Sequence, residues 1–252
     1  MKPTKLVTLL SGGITPAFNP LTDVADPSLW KFWVEANSGL YQDTGKTAPA
    51  TANNDVVGAW VDQVAGHDAL QATAGSKPLL KTNFVGSTPA LFFDGVNDKL
   101  VTSAFNSGIG AGGEYTLFIS AMVNSDGSNH AALGMGAGLA IYLLGTAGSV
   151  YMFGGNWREF NQASNSDAHI YTFARPSSTG RTRLYVDDVL DAADDAVNID
   201  VAVWGNQTLT IGEAGEGNFP FSGYVFAVGL YAGLMSAGDL TATNNYYLGK
   251  LL

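Results

Sequence analysis

Tyr115-Thr116-Leu117-Phe118-Ile119-Ser120-Ala121-Met122-Val123 alternates with a period of two: Leu117, Ile119, Ala121 and Val123 fall on one side, Thr116, Phe118, Ser120 and Met122 on the other. A helix would bring residues three and four apart together, so this period belongs to an extended strand. Working outward, similar short runs recur at 56–63, 90–93, 139–144, 150–153, 169–174, 181–186, 209–211 and 224–231, separated by clusters of Gly, Asn, Asp and Ser. Many short strands with little helix between them predict an all-β, two-sheet antiparallel β-sandwich. Within it, Arg183-Leu184-Tyr185-Val186-Asp187-Asp188-Val189-Leu190 reads as a hairpin turning at Asp187-Asp188, a variant of the Asp-Gly turn.

Two helices are expected. A short N-terminal one covers 26–36, where Leu29, Phe32, Trp33 and Ala36 share a helical face behind an Asp26 cap and Pro27. The C-terminal one starts near Ala237, with Ser236 and Asp239 spaced as a capping box and Leu240, Tyr247, Leu248 and Leu251 as its apolar stripe. A chain of 252 residues can bury one sandwich core, and the sandwich is assigned to 26–252. Residues 1–25 read as an extended arm. Its Gly- and Pro-rich sequence needs an anchor to become ordered, and Leu9, Ile14 and Phe18 are the expected docking side chains, against the chain's own sandwich or a neighbouring subunit.

Composition narrows the function. Charged residues make up 13% of the chain, against about 25% in ordinary soluble domains; such a surface suits a protein that lives outside cells or inside a large assembly. The formal charge is −10 and no segment interleaves cations with aromatics, which argues against nucleic acid as a partner. With no cysteine there is no disulfide, thiolate metal site or cysteine nucleophile. No apolar run reaches the ~18 residues of a membrane span.

Three segments together resemble the concanavalin A-like/laminin-G-like jelly-roll family, of the type found in bacteriophage virion and bacterial surface proteins. The first holds Trp60-Val61-Asp62 and Phe93-Asp94-Gly95; the second is Leu184-Tyr185-Val186-Asp187-Asp188-Val189, with Asp188 where the family usually has Gly; the third runs from Phe221-Ser222-Gly223-Tyr224 through the C-terminal helix. The resemblance implies a virion structural or surface-displayed protein, a homo-oligomer or part of a larger assembly, with other assembly proteins and host glycans as partners. A free lectin-like carbohydrate-binding module and a glycoside hydrolase of the same fold are the alternatives.

Retaining glycosidases of this fold set their carboxylates as Glu-x-Asp-x-x-Glu on one strand, so that nucleophile and acid face one groove. No Glu here is followed two residues later by Asp, and a non-catalytic role is expected. Gly108-x-Gly110-x-x-Gly113 precedes a strand and reads as a loop rather than a dinucleotide site. His67, His130 and His169 lack metal-ligand spacing. Asp94, Asn97 and Asp98 would offer hard oxygens to a structural calcium ion, although Asx-rich turns are usually self-capping; no other cofactor is implied. For sugar binding the candidates are Asn156, Trp157 and Arg158, read as a loop where an indole stacks on a sugar ring, joined by Asp126 and Asn129 if their loop meets the same rim.

Overall fold

A computed structural model describes residues 17–110, 113–124, 129–136, 139–144, 148–153, 157–164, 166–176, 181–191, 205–214 and 219–251. Strands are numbered in chain order. One sheet contains β1 (Trp30–Glu35), β5 (Leu79–Val85), β6 (Thr88–Asp94), β8 (Tyr115–Val123), β13 (His169–Arg175), β14 (Arg183–Val186), β15 (Val189–Leu190) and β17 (Ser222–Tyr231). The other contains β2 (Leu40–Tyr41), β3 (Ala59–Trp60), β4 (Ala69–Leu70), β7 (Leu100–Thr102), β9 (Asn129–Met135), β10 (Leu139–Leu144), β11 (Gly148–Phe153), β12 (Trp157–Ser164) and β16 (Leu209–Ile211). The first runs β15-β14-β13-β8-β17-β6-β5 and the second β12-β11-β10-β9-β16-β7-β4-β3-β2, with antiparallel pairing throughout. This is the expected two-sheet sandwich.

Alternation decides which side chains enter it. Leu117, Ile119, Ala121 and Val123 join the main core between the sheets, while Phe118 from the opposite row lies in a second cluster on the first sheet's outer face. That face is roofed by helix α2 (Ala237–Leu251), so the polar row of β8 is buried as well. Thr116 answers burial with two hydrogen bonds: its hydroxyl donates to Gly233 O at 3.0 Å and accepts from Met235 N at 3.1 Å. The helix begins as the sequence predicts, with Asp239 N donating to Ser236 Oγ at 3.1 Å.

The hairpin also forms. Asp187 and Asp188 take φ of 52° and 67°, the left-handed pair that a two-residue type I′ turn needs. Gly95 in the Phe-Asp-Gly turn has φ of 79°, and a Cβ there would meet Ser222 Cβ at 2.8 Å; conformation and space both call for glycine.

The helix expected over 26–36 is not present. Asp26 does cap Pro27, its carboxylate accepting from Ser28 N at 3.1 Å, but only a single 3-10 turn, Pro27–Leu29, follows before β1. Phe32 and Val34 enter the main core and Trp30 and Trp33 the outer cluster. A strand buried on both faces is apolar all round, and over so few residues it imitates a helical stripe. The short α-helix near this end is instead α1, Pro20–Asp23.

Phe18 and Leu21 pack against the outer cluster, Val24 is buried in it, and Trp30 Nε1 donates to Pro20 O at 2.9 Å. Residues 17–25 therefore form part of the roof, whereas Leu9 and Ile14 lie outside the described residues. Deleting residues 1–25 should cost about 3 kcal/mol more than deleting residues 1–16, through the apolar area uncovered over Trp30. Melting curves of the two truncations check this, and equal melting temperatures would count against the roof's contribution.

Candidate functional site

While α2 covers the first sheet, no described helix packs on the outer face of β9–β12. Leu139, Ile141, Leu143, Val150, Met152 and Phe160 form its inward row. On the outward row, Ala140 pairs with Phe153 and Phe153 with Trp157, while Tyr142 pairs with Tyr151 and Tyr151 with Glu159. Directly paired residues share a face, so the register lines up Tyr142, Tyr151 and Phe153 with the acidic Glu159. Tyr142 is buried at the base, Tyr151 and Phe153 are half-buried, and Glu159 is exposed.

Phe219 closes one side. Its ring stands edge-on to Tyr142, centroids 5.5 Å apart and planes at 82°, and it remains 41% exposed. Its φ of 59° is left-handed, which costs a non-glycine residue roughly 1–2 kcal/mol. The hydrogen bond from Ala131 N to Phe219 O at 2.9 Å helps hold it there. Glu213 and Ala214 cross the face beneath, so close that a Cβ on Gly134 would lie 2.5 Å from the Ala214 carbonyl carbon. Gly134→Ala is expected to push that crossing away and destabilise the fold by about 2–3 kcal/mol, read as a lowered midpoint in urea.

The sequence candidates distribute themselves over this face. Trp157 and Arg158 are the first two residues of β12, an edge strand, and not part of a loop. Their backbones pair with Phe153 and Met152 of β11 respectively. Asn129 opens β9 opposite Leu144. Gly134 lies five positions further along β9 and aligns through Ala140 and Phe153 with Trp157. At about 3.3 Å per residue the two lie roughly 15 Å apart along the strands. Asn129 and Trp157 thus mark opposite ends of one face and do not share a rim. Asp126 and Asn156 lie outside the described residues.

At Asp94 and Asp98 the carboxylate oxygens serve the turn itself, and Asn97 contributes its backbone N–H. Asp94 Oδ1 accepts from Val96 N and Asn97 N at 2.8 and 3.3 Å, and Asp98 Oδ2 from Asp94 N at 3.0 Å. Among the described residues no group of three or more His, Cys, Asp or Glu is placed to hold a metal ion. Burial, reinforced by the charge of Asp94, pushes the Asp98 carboxyl up to about 6. A carboxyl whose folded value lies above its unfolded one is penalised once it ionises, so this contribution weakens stability as pH rises from about 4 to 6. Asp98→Asn should remove that slope: from pH 4 to pH 7 the variant's melting temperature should rise relative to the parent's, and parallel profiles would refute the assignment.

The histidines have ordinary partners. His67 stacks on Phe105 with ring centroids 4.3 Å apart, His130 Nδ1 lies 2.9 Å from Pro220 O, and His169 Nδ1 lies 2.9 Å from Asp187 Oδ2.

Fold and geometry define a two-sheet antiparallel β-sandwich roofed by a C-terminal helix. The sequence matches no family model and no curated protein. Solved structures show the same fold. Trypanosoma rangeli sialidase in complex with sialic acid superposes with a TM-score of 0.58 at 13% identity, over 86% of this chain and 33% of that one. The botulinum neurotoxin serotype D ligand binding domain in complex with N-acetylneuraminic acid gives 0.54 at 9% identity, over 90% and 52%. Domain 4 of AbnA, a GH43 extracellular arabinanase from Geobacillus stearothermophilus, in complex with arabinotriose, gives 0.52 at 15% identity, over 84% and 96%. The chain spans about a third of the sialidase and half of the neurotoxin domain, but nearly all of domain 4.

Proposed function

We propose that this chain is a non-catalytic carbohydrate-binding module, displayed on a virion or an extracellular surface, that lays a glycan along the outer face of β9–β12. The observation that carries the reading is the outward row of Tyr142, Tyr151 and Phe153 beside Glu159 and the exposed Phe219, with the backbone of Trp157 paired to Phe153 at its edge. Aromatic rings supply flat apolar surface for the C–H face of a sugar, and a nearby carboxylate accepts from its hydroxyls. The length from Asn129 to Trp157 suits an oligosaccharide better than a single ring. Sugars in complex with the three structural neighbours support the reading.

A non-catalytic role fits the described carboxylates. Glu213 pairs with Lys99 at 2.8 Å, Glu35 with Lys250 at 2.7 Å, and Asp94 and Asp98 bind backbone N–H groups. Retaining hydrolysis needs two carboxyls about 5 to 5.5 Å apart across one groove, and the described acidic side chain on the aromatic face is Glu159.

A glycan array tests the proposal. The parent should bind a definable set of oligosaccharides, and Tyr151→Ala, Trp157→Ala and Phe219→Ala should each weaken binding about tenfold, the value of one lost stacking contact. Absence of binding by the parent, or equal binding by all three variants, removes the site. A free lectin-like module would use the same face. Antibody labelling separates the two: signal on assembled particles or cell surfaces supports display, and signal confined to the soluble fraction supports the free module.

A further inference from the structure

The first sheet has a seam. β17 pairs with β6 over Ser222–Val225 and with β1 over Ala227–Tyr231, so β6 and β1 lie end to end along one strand and Phe226 faces the junction. Ala36 N donates to Phe226 O at 2.8 Å, but the sheet is not continuous there. Between the seam and the last turn of α2 is a cavity of about 190 Å³. A volume near 30 Å³ per water makes this room for about six waters, or one sugar ring.

Its polar lining is unusual for a space under a helix. Glu35 Oε1, Ser120 Oγ and Tyr247 OH are buried without a hydrogen-bond partner, on residues only 6%, 1% and 2% exposed. All three residues line the cavity. Buried polar groups normally find partners, and three orphans on residues that line one space point to something that occupies it.

The lining also specifies the occupant. Lys250 Nζ donates to Glu35 Oε2 at 2.7 Å and to Tyr246 OH at 2.6 Å, so the ion pair neutralises the cavity. An anion would meet Glu35 and a cation would meet Lys250. Burial, with Glu35 close by, holds the Tyr247 hydroxyl well above its ordinary value, so it keeps its proton and can donate. Ser120 donates or accepts, and Glu35 Oε1 accepts. The remaining wall joins apolar Ala36, Pro89, Phe226 and Leu251 to polar Asn37, Ser87 and Thr88. We infer that this cavity binds a small neutral polyhydroxylated molecule of single-sugar size, with its hydroxyls toward Glu35, Ser120 and Tyr247 and its C–H face toward Phe226 and Pro89. This site lies on the opposite sheet from the aromatic face and does not depend on it.

The full chain, isotopically labelled, is titrated with glucose, galactose, myo-inositol and glycerol. The expected result is saturable amide shifts clustered at Ala36, Ser120, Phe226 and Tyr247 for at least one of them. Ser120→Ala should weaken that binding about tenfold, one hydrogen bond's worth, and Ser120→Leu, which fills the cavity, should abolish it. Tyr151→Ala, on the other sheet, should leave it unchanged. No saturable shifts with any probe would mean that the orphan atoms hold water alone, and binding untouched by both Ser120 variants would place the site elsewhere; either overturns the inference. Should Ser120→Leu fail to fold, Ser120→Ala decides.

Discussion

Trp33→Ala is expected to destabilise the protein by about 3–5 kcal/mol, the range for truncating a buried aromatic to alanine, and so to lower the melting temperature by roughly 6–20 °C. Trp33 is 1% exposed and lies at the centre of the contact between sheet and roof. Its ring meets Trp30 edge-on at 4.5 Å and stacks on Tyr247 at 5.3 Å. Cutting it back leaves a void that neither the sheet nor a helix anchored through Lys250 and Glu35 can close by a small shift. Trp33→Phe should recover part of the loss. A change below 1 kcal/mol in the alanine variant would mean that the roof is not fixed to the sheet as described.

Asp62→Ala should cost about 3 kcal/mol, through backbone donors left unsatisfied at a buried site. The Asp62 carboxylate accepts from Trp33 N at 2.9 Å, Val64 N at 3.2 Å, Ala65 N at 2.9 Å and His67 N at 2.9 Å. Two residues earlier, Trp60 Nε1 donates to Glu35 O at 3.0 Å. The Trp-x-Asp motif thus ties the second sheet and its following loop to the C-terminal half of β1. Asp62→Asn keeps one acceptor oxygen and should lose less. Equilibrium unfolding in urea measures all three proteins, and equal stability of parent and alanine variant would contradict the role.

Where one face of an element was apolar and the other polar, the sequence was enough. β8, the Asp187-Asp188 hairpin and the Ser236 cap follow from alternation, turn chemistry and capping, which are local rules. β1 imitates a helix in sequence because both its faces are buried. The two-residue strands β2 and β4 were missed because they are defined by distant partners: Leu40 finds Trp60, and Ala69 finds Thr102. The site was legible only in fragments. Trp157 was singled out, yet its face depends on pairing with Phe153, and separation from Asn129 depends on the register of four strands. One signal was present without structure: in 139–144 and 150–153 Leu139, Ile141, Leu143, Val150 and Met152 fall on one row and Tyr142, Tyr151 and Phe153 on the other. The exposed Phe219 gave no such signal, since its backbone conformation is set by Ala131 across the sheet.

The most direct measurement is an amide-shift map of the labelled protein titrated with the tightest-binding oligosaccharide from the array. If the outer face of the second sheet is the binding surface, shifts will concentrate on β9–β12 and around Phe219, and both the shifts and the affinity will diminish together in Tyr151→Ala. Shifts confined to residues beneath α2 or to the loops beside β2 and β3, with the aromatic row silent, would contradict it.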